Sequence, residues 1–130
     1  MTAVFERLIR RLPGHKIDIG QHPKAPAVDE RVAALLLKAF EAESDRDPDL
    51  SRRLYADAAS GARIIYELTP TGTPEEISRR TMHGELAFSA LSSAGETDEA
   101  MTFGYTLLAD PLIPGAVKAK IQRTVTIPTS

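Results

Sequence analysis

The chain has 130 residues, of which 42% are hydrophobic and 26% charged, and its formal net charge is -2. This is the size and composition of one globular domain, and the small net charge gives no overall field that would attract nucleic acid or a membrane. The absence of cysteine excludes a disulfide scaffold, a thiolate nucleophile and cysteine-ligated zinc or iron–sulfur centres. No apolar run approaches the roughly 20 residues of a membrane helix, and no signal-peptide core follows Met1, so we expect a cytoplasmic protein.

The N-terminal part of the chain divides into three predicted segments. Residues 2–12 predict an amphipathic helix because their apolar side chains recur on one helical face: Val4, Phe5, Leu8, Ile9 and Leu12. Pro13 and Gly14 end this helix. Residues 16–19 alternate between apolar and polar side chains and predict a short strand, and the glycine and prolines of residues 20–27 predict a loop.

Two longer helices are predicted in the middle of the chain. The apolar stripe of residues 28–43 predicts the first, with Asp29 in its first turn, and the acidic residues 41–49 end it. Asp47 followed by proline predicts the start of the second helix, whose apolar periodicity continues to about residue 68. Its last residues, 63–68, could instead form a strand or a second short helix.

The C-terminal half predicts three more helical segments. Thr73 and Glu76 have the spacing of a capping box, and the helix that follows is expected to bend or break near His83–Gly84 and to end at Gly95. Thr97 predicts the cap of a helix that continues to about residue 109. Residues 115–122 predict a last short helix, and residues 123–127 an extended tail or edge strand.

These elements predict a mainly α fold. We expect a single domain over residues 1–130, a compact bundle of five or six helices with at most a small β element from residues 16–19 and 123–127. Residues 1–27 could form a helical arm of that domain. A winged-helix-like α+β arrangement is the alternative.

Residues 74–95 have the pattern of a helix-turn-helix. Their opening, Pro74-Glu75-Glu76-Ile77 after Thr73, resembles that of the second helix in bacterial winged-helix regulators. The resemblance implies a small DNA-binding transcriptional regulator. It would place Arg79, Arg80 and His83 near the DNA backbone and Ser89 and Ser92 near the bases. Residues 85–94 contain no arginine, lysine, asparagine or glutamine, so the same module could instead be a protein-interaction surface.

The sequence contains no recognisable catalytic or metal-binding motif. Asp45, Asp47 and Asp49 repeat the start of a calcium-binding loop, but that loop requires glycine and glutamate where this chain has Leu50 and Ala56. Neither a phosphate-binding loop nor a nucleophile elbow is present. We therefore predict no catalytic, cofactor or metal site.

The charges alternate in blocks along the chain. Residues 1–28 carry five basic and two acidic side chains, whereas residues 29–49 carry three and seven. This pattern favours a non-enzymatic regulatory or assembly protein that acts through protein–protein contacts of a helical domain, with another protein or with a second copy. DNA binding is the alternative, and an enzyme or ligand-binding bundle using His83 and Glu85 is a third hypothesis. The residues predicted to make the protein contacts are Arg7, Arg10, Arg11, Glu41, Asp45 and Asp47.

Overall fold

The computed structural model describes residues 28–126, which form five α-helices and no strand. This result confirms the mainly α prediction over the α+β alternative for that part of the chain. The predicted helix 2–12, strand 16–19 and loop 20–27 lie outside the described residues. The helices are α1 (Glu30–Ser44), α2 (Pro48–Leu68), α3 (Pro74–Ser93), α4 (Thr97–Ala109) and α5 (Gly115–Thr126).

Aspartate caps fix the starts of the first two helices. The Asp29 carboxylate accepts hydrogen bonds from the backbone N–H groups of Arg31, at 3.0 Å, and Val32, at 3.3 Å. The Asp47 carboxylate accepts one from the N–H of Leu50 at 3.2 Å. Because the first N–H groups of a helix have no partner within it, these carboxylates satisfy donors that would otherwise be unpaired. The predicted start of α2 is confirmed.

Helix α2 continues without interruption through residues 63–68, which excludes the alternative of a strand or a second helix there. Its buried side chains include Tyr55, Ala62 and Tyr66, at helical spacing along one face. Gly61 lies where α1 comes closest, since a Cβ at this position would lie 3.3 Å from a methyl group of Val32.

The capping box at the start of α3 is confirmed. The Thr73 hydroxyl accepts a hydrogen bond from the N–H of Glu76 at 3.1 Å, and the Glu76 carboxylate accepts one from the N–H of Thr73 at 3.0 Å.

The predicted break of this helix near His83–Gly84 was wrong, because α3 is one helix from Pro74 to Ser93. Gly84 has a packing role instead of a turning role. A Cβ there would lie 2.9 Å from Leu107 of α4 and 3.1 Å from the ring of Tyr66 on α2. Residues 74–93 therefore contain no turn between two helices.

The last two helices differ from the prediction at one end each. Thr97 is the first residue of α4, and the N-cap position belongs to Glu96, whose side chain makes no capping hydrogen bond. Helix α5 continues to residue 126, so the extended structure predicted for residues 123–127 was wrong over 123–126. Ile121 and Val125 are buried, and a Cβ on Gly104 of α4 would lie 2.7 Å from Val125. Burial of this stripe outweighs the strand preference of the β-branched residues around it.

Helix α3 is the central helix of the described bundle. It packs along α2 on one side and α4 on another, and every residue from 81 to 91 is buried. Helix α1 packs on α2, and α5 packs on α4. The polar side chains of α3 are therefore enclosed, whereas α1 and α2 leave much of their outer surface exposed.

Candidate functional site

The protein-contact residues predicted from the sequence fall in two places. Arg7, Arg10 and Arg11 lie outside the described residues. Residues Glu41, Asp45 and Asp47 are exposed at the end of the bundle where α1 turns into α2, a region that we call the acidic end (residues 41–49).

Several carboxylates of the acidic end already have partners within the chain. Asp47 caps α2, Glu43 accepts a hydrogen bond from the Tyr55 hydroxyl, and Asp49 pairs with Arg52 at 2.6 Å. An open cavity of about 310 Å³ at this end has mixed charge in its lining, so the region is not uniformly acidic. The cavity is lined by Glu43, Arg46, Pro48, Ser51, Arg52 and Ser93.

A second surface feature is the α1–α2 groove, a cavity of about 320 Å³ between the first two helices. Half of its lining residues have apolar side chains, namely Val32, Leu35, Ile64 and Ile65, and Gly61 lies against Val32 of α1. Ile64 on its wall is 54% exposed, and Leu68, one turn further along α2, is 74% exposed. Exposed apolar side chains beside a groove are typical of a protein-contact surface. The groove is lined by Asp29, Arg31, Val32, Leu35, Asp57, Gly61, Ile64 and Ile65.

The residues predicted for DNA contact all lie on α3, and the bundle encloses most of them. His83 and Ser89 have no exposed surface. Arg79 is partly exposed and lies 3.9 Å from the carboxylate of Asp29. Ser92 is partly buried. The helix therefore does not present these side chains together on one accessible face.

Arg80 belongs to a buried polar network that sequence reasoning did not find. Its guanidinium lies 2.5 Å from the carboxylate of Asp110 and 4.3 Å from the ring centroid of Tyr66. The Tyr66 hydroxyl donates a hydrogen bond to the same carboxylate at 2.5 Å. The other oxygen of Asp110 accepts from the N–H of Leu112 at 2.9 Å. The network joins α2, α3 and the α4–α5 connection.

Burial and charge act in opposite directions within this network. Burial, together with the neighbouring carboxylate of Asp110, raises the pKa of Tyr66 to about 12. Burial by itself would raise the pKa of Asp110, but hydrogen bonds from Arg80 and Tyr66 outweigh it and lower that pKa. Asp110 is therefore a carboxylate and Tyr66 a neutral phenol near neutral pH.

His83 uses both ring nitrogens inside the fold. Its Nε2 accepts a hydrogen bond from the backbone N–H of Asp29 at 3.1 Å, and its Nδ1 lies 2.8 Å from the carbonyl oxygen of Arg79. Burial is the largest influence on this imidazole and lowers its pKa. The arrangement gives His83 a structural role between α1 and α3.

The described residues show no metal-binding cluster. Within residues 28–126, no three side chains of histidine, aspartate or glutamate are grouped so that they could hold a metal ion. Among the five described helices, none combines the length and the apolar character needed to cross a membrane.

Comparison of the chain with protein-family models, with curated proteins and with solved structures found no match. The candidate site is therefore inferred from the geometry of the structure, and the α1–α2 groove is its main part. The sequence predicted apolar stripes in both helices but not the groove between them, because the groove depends on how α1 packs on α2.

Proposed function

We propose that this protein is a non-enzymatic regulatory or assembly protein that acts in the cytoplasm through protein–protein contacts of its helical domain. The observation that carries the proposal is the α1–α2 groove, with the apolar side chains of its lining and the exposed side chain of Ile64. The buried polar groups that could take part in catalysis are instead bonded to other groups of the chain. Arg80, Asp110 and Tyr66 bind one another, and His83 is bonded on both sides.

The groove has dimensions that fit a short helix. Residues 57–65 of α2 form one wall and extend over about 12 Å at about 1.5 Å per residue. Two carboxylates, Asp29 and Asp57, are part of the groove's lining with one arginine, Arg31. An occupant with an apolar stripe and flanking basic residues would complement this lining.

The occupant that we propose is residues 2–12 of a second copy of the chain. The sequence predicts an amphipathic helix there, about 15 Å long, with Arg7, Arg10 and Arg11 beside its apolar face. Each copy would supply both the basic helix and the groove, so two copies could exchange them symmetrically. The three arginines of residues 2–12 are opposite in charge to Asp29 and Asp57 of the groove.

Analytical ultracentrifugation over a range of protein concentrations tests this proposal. We expect a reversible dimer that Ile64→Glu weakens by at least about tenfold, because a charge would replace an apolar contact. The matched control is Leu112→Glu, which changes an exposed leucine in the α4–α5 connection, away from the groove, and should leave the dimer intact. Arg10→Glu should also weaken the dimer, and Asp57→Lys in the same chain should restore it in part.

A chain that stays monomeric at every concentration overturns the proposed self-association. DNA binding is tested on the same protein by fluorescence anisotropy with duplex DNA at about 50 and 200 mM salt. We expect no binding at either salt concentration. Tight binding at low salt that falls by on the order of a thousandfold at high salt, and weakens in Arg79→Ala, would favour the DNA-binding function instead.

A further inference from the structure

His83 connects two helices that are far apart in the sequence. The hydrogen bond from the N–H of Asp29 to Nε2 of His83 joins residues separated by 54 positions, and it lies at the very start of α1. On the other side of the ring, the carbonyl oxygen of Arg79 can only accept, so Nδ1 carries the proton and donates to it. The neutral imidazole with its proton on Nδ1 is therefore the form that satisfies both contacts.

Protonation would remove one of these contacts. The doubly protonated ring has N–H groups on both nitrogens, whereas the backbone N–H of Asp29 is a donor and cannot accept. Two donors would then face each other across a distance of 3.1 Å with no exposed surface on the ring. The first turn of α1 would have to move away, or the ring would have to leave its buried position.

The charged groups that act on the imidazole come from both helices. On α3, the guanidinium of Arg79 disfavours a second positive charge. At the start of α1, the carboxylate of Asp29 favours it, but that carboxylate also caps the helix and pairs with Arg79. The hydrogen bond to the carbonyl oxygen of Arg79 also favours the charged ring, but burial and the Arg79 guanidinium outweigh it and Asp29, so the pKa of His83 lies below that of an ordinary histidine.

We propose that His83 is a pH-sensitive latch that holds the first turn of α1 on the central helix and releases it when the imidazole is protonated. The rest of α1 stays in place, because Leu36, Ala39 and Phe40 are buried further along the helix. Asp29 and Arg31 form part of the lining of the α1–α2 groove, so release would open that end of it. The effect on a bound partner rests on the proposed function, whereas the latch itself does not.

Amide hydrogen exchange measured by NMR on the full chain tests the latch without any partner. If one proton is coupled to local opening, the protection factors of Asp29, Arg31 and Val32 should fall about tenfold per pH unit as the pH falls from the ordinary histidine pKa of about 6.5 to the lower pKa of His83 in the folded chain, and they should level off below it. Amides in the middle of α2, at Ala58 and Ala62, should keep their protection over the same range. The ring signal of His83 should titrate at the lower end of this range, where the protection levels off.

Two variants test whether His83 is the cause of the pH response at the start of α1. In His83→Gln the side-chain oxygen can still accept from Asp29 but does not titrate, so the protection at the start of α1 should be independent of pH. The matched control His15→Gln/His22→Gln removes the two other histidines of the chain and should keep the pH response of the natural sequence.

Three outcomes would overturn the latch. They are a pH response that persists in His83→Gln, a response that disappears in His15→Gln/His22→Gln, and a titration of the His83 ring with no change at the three amides. If His83→Gln does not fold, the ring titration and the amide protection of the natural chain still decide the question. A ring titration at the pH where the amide protection levels off supports the latch, and protection that stays constant down to the pH at which the ring titrates overturns it.

Discussion

Helices α1 and α3 are both long and well capped, but they bury their side chains in different ways. Helix α1 buries one stripe, including Val32, Leu36 and Phe40, and leaves residues such as Leu37 exposed. Helix α3 is buried on every side from residue 81 to residue 91, and its enclosed residues include His83, Glu85 and Ser89. The apolar periodicity of the sequence therefore identifies the buried face of α1. It does not do so for α3, because the neighbouring helices bury polar side chains of α3 as well as apolar ones.

The comparison shows where the stability of the bundle is concentrated. A substitution in α3, or in a side chain that binds it, should have a large effect because nothing can relax toward solvent. A chemically similar substitution on the exposed face of α1 or on the acidic end should have a small one. Three pairs of variants test this difference.

The largest effect is expected at the buried carboxylate. Asp110→Ala leaves the guanidinium of Arg80 and the hydroxyl of Tyr66 without their partner, and we expect it to lower the free energy of unfolding by about 3–5 kcal/mol. Asp49→Ala removes an ion pair of similar length, 2.6 Å to Arg52, in which the Asp49 side chain is 84% exposed. Water and salt screen that pair, so we expect less than about 1 kcal/mol.

Urea denaturation of both variants measures these differences. Equal losses of stability would mean that the buried network is no more important than a surface ion pair. Arg80→Met with Asp110→Leu replaces both charges by apolar groups and should recover much of the loss, since no buried charge then lacks a partner.

A pair of leucines should give an intermediate effect. Leu86→Ala removes a side chain with no exposed surface from the central helix and should cost about 2–5 kcal/mol. Leu37→Ala removes the same atoms from α1, where the side chain is 47% exposed, and should cost less than about 1 kcal/mol. Thermal unfolding followed by circular dichroism compares the two variants, and a similar change in Tm for both would contradict the central position of α3.

The smallest effect is expected at two helical glycines. In Gly84→Ala the added methyl group meets Leu107 at 2.9 Å and the Tyr66 ring at 3.1 Å, so overpacking exceeds the gain in helix propensity and about 1 kcal/mol is lost. In Gly61→Ala the nearest atom is a methyl group of Val32 at 3.3 Å, on the edge of the groove. The gain of up to about 1 kcal/mol in helix propensity should offset that contact. A more stable Gly84→Ala variant would show that α2, α3 and α4 have room to move apart.

Local signals explain what the sequence predicted correctly. The starts of α2 and α3 follow from Asp47 before a proline and from the spacing of Thr73 and Glu76, because a cap involves residues within one turn of each other. The sequence predicted a break at Gly84, whereas this glycine is required by tertiary contacts. It makes space for Tyr66 of α2 and Leu107 of α4, and neither residue is near it in the sequence.

In the candidate site, too, only the locally determined features could be predicted from the sequence. The exposed positions of Glu41 and Asp45 follow from a polar segment that covers the end of α1 and its connection to α2. The groove depends on how closely α1 approaches α2 at Gly61, which no local pattern specifies. The buried network depends on Tyr66 and Asp110, which are 44 positions apart in the chain.

The order in which the helices pack has a consequence for folding kinetics. The helix pairs with extensive contacts are consecutive in the described chain, and no connection between these helices exceeds five residues. Most contacts therefore join segments that are close in sequence, which is typical of helical bundles that fold within microseconds to milliseconds. The hydrogen bond between Asp29 and His83 spans a much longer loop, so we expect it to form after the helix pairs, as the final closure of the first helix onto the third.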